Sequence, residues 1–135
     1  MEDNITYLFV YGTLQQASGH PMSKLLRKNA TPIGPGEMSG SLYQIGEYPG
    51  AVFESESNNR VYGDVYEITK PEQLLHRLDH YEGYDSNAPQ RSLFVRKKHV
   101  IYFEEKPLEC WVYIYNRPTY AHKRIPSGRY IQSSP

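Results

Sequence analysis

The chain has 135 residues, with 15 basic side chains balanced by 15 acidic ones. That balance argues against a broad binder of phosphate backbones, which would neutralise several phosphates with clustered Lys and Arg. At 39% hydrophobic and 13% aromatic, the composition is too rich in core-formers for a disordered chain, and the length suits one domain. No apolar run approaches the roughly 18 to 20 residues a membrane helix needs. The opening Met1-Glu2-Asp3-Asn4 is acidic and lacks the basic start of a signal peptide. The one cysteine, Cys110, excludes an internal disulfide and a Cys-rich metal site. A soluble, cytoplasmic, single-domain protein with no nucleic-acid or membrane partner is expected. Its oddest count is 13 Tyr beside four Phe and one Trp.

Thr6-Tyr7-Leu8-Phe9-Val10-Tyr11 is a β-branched and aromatic run that stops at Gly12, which predicts a strand buried on both faces and ending in a tight turn. A helix follows, with Pro21 in its first turn and Met22, Leu25 and Leu26 as its apolar stripe. Residues 29 to 40 contain Pro32, Gly34, Pro35, Gly36 and Gly40 and are expected as a loop. Strands are then expected over Gly40 to Gln44, Ala51 to Glu54 and Val61 to Ile68.

A second helix is marked more clearly. Thr69 or Lys70 can cap it, Pro71 lies in its first turn, and Glu72 suits the positive end of the dipole. Leu74, Leu75 and Leu78 form the buried stripe, and Gly83 is placed to end it. Beyond a polar loop at Ser86 to Gln90 come two more strands. One has Leu93, Val95, Ile101 and Phe103 flanking Arg96-Lys97-Lys98. The other, Cys110-Trp111-Val112-Tyr113-Ile114-Tyr115, is apolar on both faces and expected to be central. The tail from Asn116, with Pro118, Pro126 and Gly128, reads as irregular. Many strands and two helices imply an α+β domain built round a curled sheet or barrel.

Among residues that could carry chemistry, Glu82 stands out. Leu75, Leu78 and Glu82 are spaced i, i+3 and i+7, so the carboxylate continues the apolar stripe. A carboxylate turned toward a core is costly unless paired, and burial raises its pKa toward the range that suits general acid/base work. Alternatively the helix frays at Gly83, and Glu82 points to solvent or pairs with an Arg. Tyr11-Gly12-Thr13-Leu14 is the second candidate: a strand breaking at glycine can present successive backbone N–H groups to an anion, with a hydroxyl from Thr13. It can equally be only a turn.

Other constellations carry less. His76 and His80 stand at i, i+4, a zinc-ligand spacing, but they share a face with Glu72 and Asp79 and read as solvated. Cys110 reads as a small core residue. Arg96-Lys97-Lys98-His99 reads as a solvent face. No G-x-S-x-G elbow, P-loop or G-x-G-x-x-G is present, so neither a serine hydrolase nor a nucleotide cofactor is indicated.

Taken together, the Tyr11-Gly12-Thr13-Leu14 turn and the later Leu78-Asp79-His80-Tyr81-Glu82-Gly83 resemble the γ-glutamylcyclotransferase-like family, including γ-glutamylamine cyclotransferases and the plant avirulence-induced-gene proteins. Leu42-Tyr43 with Tyr48-Pro49-Gly50-Ala51-Val52, then Val61 to Tyr66, Trp111 to Tyr115 and Ile125 to Tyr130 extend the likeness over about residues 7 to 130. The resemblance implies a small twisted mixed sheet or barrel with flanking helices. It implies a reaction in which the substrate's own α-amine attacks its γ-carbonyl, releasing 5-oxoproline and a free amine, with no metal or cofactor. By resemblance, Glu82 is the general base and acid, and Tyr11, Gly12, Thr13 and Leu14 hold the γ-glutamyl moiety. Tyr48, Arg91 and Tyr115 are candidate pocket residues. One departure is Pro89, where family members often place a Tyr two residues before the Arg that is Arg91 here. The contrasting reading is a non-catalytic small-molecule binder that keeps the cavity. Part of the tyrosine excess would then line a pocket that must be both apolar and hydrogen-bonding.

Overall fold

The computed structural model describes residues 5–12 and 21–130. The elements in chain order are β1 (Thr6–Val10), α1 (Pro21–Asn29), β2 (Thr31–Ile45), β3 (Tyr48–Phe53), β4 (Arg60–Ile68), α2 (Pro71–Glu82), β5 (Phe94–Phe103), β6 (Lys106–Tyr115) and the two-residue β7 (Lys123–Arg124), with a 3-10 turn at Pro89–Arg91 before β5. The α+β expectation and the curled sheet hold. The strands run in the order β3-β2-β4-β1-β6-β5, and β2 returns to pair with β5 through Gly36↔Phe103 and Glu37↔Tyr102. Five strands thereby close into a barrel. β6 lies between β1 and β5, so the apolar Cys110 to Tyr115 run is central as expected.

Alternation along the strands sorts the core into two layers. Phe9, Val61, Val65, Val95, Ile101 and Val112 belong to the cluster that fills the barrel. Their neighbours of opposite parity, including Leu8, Tyr66, Phe94 and Tyr113, join Leu26 of α1 and Leu74, Leu75 and Leu78 of α2 in the second cluster. α2 therefore covers the outside of the barrel with the stripe read from its sequence, and α1 does so with Leu25 and Leu26; the side chain of Met22 lies outside the described residues. β1 is buried on both faces because it separates the two layers.

Of the glycine- and proline-bearing stretch expected as a loop over residues 29 to 40, Asn29 ends α1 and everything from Thr31 onward belongs to the 15-residue β2. Its prolines are accommodated around a register shift between Pro32 and Gly34, since a bulge is one of the places where a strand tolerates proline. Its glycines mark close approach. A Cβ on Gly36 would lie 2.9 Å from both Ile101 Cγ2 and Val65 Cγ2. At Gly40, β2 leaves β4 and takes β3 as its partner, and a Cβ there would stand 2.2 Å from the Val52 carbonyl oxygen. Gly40 is thus the corner at which the strand bends out of the barrel.

Two smaller expectations are corrected. Lys70 occupies the N-cap position of α2, but no side chain caps the helix: an ammonium only donates, and the orphan groups there are N–H donors. The tail from Asn116 is irregular except for β7, which pairs with β2 at Tyr43↔Arg124. It is tied down by the Tyr62 amide donating to the Gly128 carbonyl at 2.8 Å and the Ile125 amide to that of Leu42 at 2.7 Å.

Gly63 permits a close backbone contact where β4 passes the end of β1. A Cβ there would stand 2.2 Å from the Val10 carbonyl oxygen, against backbone that cannot rotate away. Gly63→Ala should therefore push β4 off the end of β1. We expect a loss of about 2–4 kcal/mol in urea unfolding, at or above the usual range for overpacking.

Candidate active site

A cavity of about 580 Å³ opens at one end of the barrel. The C-terminal end of β1 supplies Phe9 to Gly12, and the last turn of α2 supplies Tyr81, Glu82 and Gly83. The start of β3, the start of β5 and the Tyr113 ring of β6 close the remaining walls. The two motifs that are 70 residues apart in sequence meet here because β1 and α2 end on the same side.

Glu82 is fixed by how α2 stops. Gly83 adopts the left-handed conformation at φ 74. The Gly83 amide donates to the His80 carbonyl at 3.3 Å, and the Tyr84 amide to that of Asp79 at 2.9 Å. This double closure is a Schellman motif. The helix therefore does not fray, and Glu82 continues the stripe of Leu75 and Leu78 into the cavity wall. Its carboxylate makes no hydrogen bond to a described residue. Burial, and secondarily the nearby charge of Asp79, push its pKa up to about 7, as expected for an ion losing water without gaining a partner.

Tyr11 is buried and its hydroxyl is fully engaged: it donates to the Tyr113 carbonyl and accepts from the Ala51 amide at 3.1 Å. Desolvation raises its pKa strongly, so the group is a neutral strut joining β1, β3 and β6. Gly12 lies in the wall, and a Cβ on it would come 2.8 Å from Pro49 Cγ. Thr13 and Leu14 lie outside the described residues.

The remaining pocket candidates separate. Tyr48 lines the cavity, its ring 5.9 Å from that of Phe94. Tyr115 is buried behind the wall, packed edge-on to Phe94 and hydrogen-bonded to His122 at 3.1 Å. Arg91 sits exposed on the 3-10 turn that Pro89 begins and is not among the described residues that line the cavity. His76 and His80 are exposed, and among the described residues no group of three or more His, Cys, Asp or Glu is placed to hold a metal. Cys110 is buried, its thiol pushed up to about 12 by burial and then by Glu109. No described helix is long and apolar enough to cross a membrane.

Three supporting residues were not singled out from sequence. Asp79 accepts hydrogen bonds from Arg96 Nε at 2.6 Å and from its second nitrogen at 2.9 Å, and from the Tyr113 hydroxyl at 2.7 Å. Arg96 lies 4.3 Å over the Trp111 ring. Neither residue is on a solvated face: their side chains are 17% and 16% exposed. Burial works against the guanidinium's charge, but the hydrogen bonds and charge of Asp79 more than offset it, and its pKa is raised. Strand parity carried the missing signal. Arg96 shares the face of Phe94, directly opposite Tyr113 in register, and that is the face α2 covers. The network holds the last turn of α2 against β5 and β6, beside Glu82.

Comparison with known proteins gives a consistent picture. The family model "Gamma-glutamyl cyclotransferase, AIG2-like" matches residues 8–132. The putative gamma-glutamylcyclotransferase YkqA of Bacillus subtilis is 34% identical over 105 residues, 73% of this chain but 35% of its own length. The chain thus spans about a third of that relative. The gamma-glutamylcyclotransferase family protein YtfP of Escherichia coli is 30% identical over 128 residues, covering 92% of this chain and 95% of YtfP. In structure, the chain is similar to an AIG2-like protein from Mus musculus with a TM-score of 0.63 at 27% identity, over 82% of this chain and 77% of the mouse protein.

Proposed function

The chain belongs to the gamma-glutamyl cyclotransferase, AIG2-like family, and from that premise we propose that it cleaves a γ-glutamyl amide by intramolecular cyclisation, with Glu82 as general base and acid. The observation that carries this reading is the Glu82 carboxyl itself, set in an aromatic cavity wall without a described hydrogen-bond partner and with a pKa near 7. At neutral pH such a group both accepts and returns a proton, which a salt-bridged carboxylate does poorly.

The reaction asks little else of the protein. The substrate's α-ammonium gives a proton to the Glu82 carboxylate, and the freed amine attacks the γ-carbonyl carbon to close a five-membered ring. Glu82 returns that proton to the amide nitrogen of the tetrahedral intermediate, and the carbon–nitrogen bond breaks. The ring nitrogen gives up its second proton through the same carboxylate to the departing amine, leaving 5-oxoproline and the amine as its ammonium form. Nucleophile and electrophile are already tethered, so the cavity has to hold a reactive conformer rather than assemble two molecules. Backbone N–H groups of residues 11 to 14 are assigned to the γ-glutamyl carboxylate. The rings of Phe9, Tyr48, Phe94 and Tyr113 line the cavity, so the proton transfers occur beside apolar surface that favours neutral forms.

The test is 5-oxoproline release from a panel of γ-glutamyl amides, followed by chromatography. Release from at least one compound in proportion to enzyme is expected. Stoichiometric binding without release from any of them would mean a binder built on this fold.

A further inference from the structure

The charge inventory of the cavity points to the kind of amine the substrate carries. The chain has 15 Lys and Arg residues, all between Lys24 and Arg129 and all therefore described. None lines the cavity. Among the described residues, the only ionisable carboxylates in its wall are Glu82, in the last turn of α2, and Glu47, in the turn between β2 and β3. The guanidinium of Arg96, opposite Tyr113, is held by both oxygens of Asp79 and stacked on Trp111, so its charge is already matched. Two partly exposed aromatic rings stand at the opening: Tyr48 is 36% and Tyr81 39% exposed.

The two halves of a γ-glutamyl amide meet this wall differently. The γ-glutamyl half is the same in every substrate, so the amine half distinguishes one from another. An amine half derived from an α-amino acid brings a second carboxylate. In this cavity it would lose water against aromatic rings, face Glu47, and find no Lys or Arg side chain, which is the costly way to bury an ion. An amine half ending in an ammonium group meets the opposite situation. Glu47 supplies a counter-charge, and the faces of Tyr48 and Tyr81 offer cation–π attraction.

We propose that the leaving amine is a diamine-type cation, its far ammonium held by Glu47 between Tyr48 and Tyr81, and that Glu47 is a specificity-determining residue. This rests on the cyclotransferase reading of the same site. Three probes with a common γ-glutamyl half separate the two: the monoamides of 1,4-diaminobutane (cationic), butylamine (neutral) and alanine (anionic). Initial rates of 5-oxoproline release give kcat/KM for wild type and Glu47→Gln at low and high salt.

The diaminobutane amide should be preferred over the butylamine amide by about three- to tenfold and over the alanine amide by tenfold or more. The preference should reside mainly in KM and shrink at high salt. In Glu47→Gln the cationic-to-neutral ratio should fall toward one; Glu47 is exposed, so the variant is expected to fold. An alanine amide turned over as well as the diaminobutane amide, or a ratio unmoved in Glu47→Gln, overturns the proposal and leaves the cyclotransferase reading standing. Release from none of the three overturns both.

Discussion

Glu82→Gln should lower 5-oxoproline release by about a hundred- to ten-thousandfold, the range usual for removing a general base and acid, while leaving the protein folded. Glutamine keeps the shape of the side chain and its place in the last turn of α2 but cannot take the ammonium proton. The wild-type pH profile supplies the companion result. The base is the ionised carboxylate, so kcat/KM should rise with pH through about 7 and fall below it. In the variant that limb should vanish, leaving only the dependence due to the substrate's own amine. A wild-type acid limb near the ordinary carboxylate value, roughly 4.3, would place Glu82 in water and remove the mechanism's main support. Stability should move in the opposite direction from activity. The folded state holds the Glu82 proton up to about 7, above the unfolded value, so its contribution is complete below the unfolded pKa and is lost as pH rises through the folded one. Above pH 7 the wild type carries an ion in an aromatic wall, and the glutamine variant does not. Thermal unfolding at pH 8 should therefore find Glu82→Gln more stable, by about 1–3 kcal/mol, with the gap closing by about pH 4.5.

Periodicity made the helices and the central strand legible, because each buries a stripe or a run whose spacing is a local property. Leu74, Leu75 and Leu78 announced both α2 and the face it hides, and Gly83 announced its end. The strand over residues 31 to 39 was not legible. Its prolines and glycines are the residues that usually break a strand, and here they are used to bend one. Only the partners show why: Gly36 makes room for Ile101 and Val65, and Gly40 for the Val52 carbonyl. The β5–β6 turn hid for a related reason. Glu104 and Glu105 both adopt positive φ, 51 and 63, in a two-residue hairpin turn where Asn-Gly or Asp-Gly would have been the signal. Within the site, Glu82 and the Tyr11-Gly12 turn could be proposed because each belongs to a local pattern. Asp79, Arg96 and Tyr113 could not, since their roles come from three elements meeting. A helix position read alone as solvated becomes buried when a strand arginine crosses beneath it. The tyrosine excess divides in the same way: Tyr48, Tyr81 and Tyr113 line the cavity, whereas Tyr66 is packed entirely inside the core.

The Asp79–Arg96 pair should separate stability from titration when its two members are removed in turn. Both side chains are largely buried, so deleting either leaves an unmatched ion, and each single variant should lose about 2–5 kcal/mol in urea unfolding. Arg96→Met fills much of the same volume but leaves the Asp79 carboxylate with only the Tyr113 hydroxyl, three residues before Glu82 on the same helix. Asp79→Asn keeps the shape and a hydrogen-bonding oxygen for Arg96 but removes the negative charge. Their effects on Glu82 are opposite in sign. An uncompensated anion at Asp79 makes ionising Glu82 harder, so Arg96→Met should move the acid limb of kcat/KM above the wild-type value. Asp79→Asn removes the second cause of the raised pKa and leaves the Arg96 charge unmatched, so the limb should move down. The double variant has neither ion and should be more stable than the sum of the singles, as expected for residues sharing one network. If both single variants moved the limb the same way, Asp79 and Arg96 would act only through the packing of the last turn of α2. Opposite movement with similar losses of stability is the signature of charge, because misplacement of Glu82 would lower activity without sorting the limb by the sign of the ion left behind.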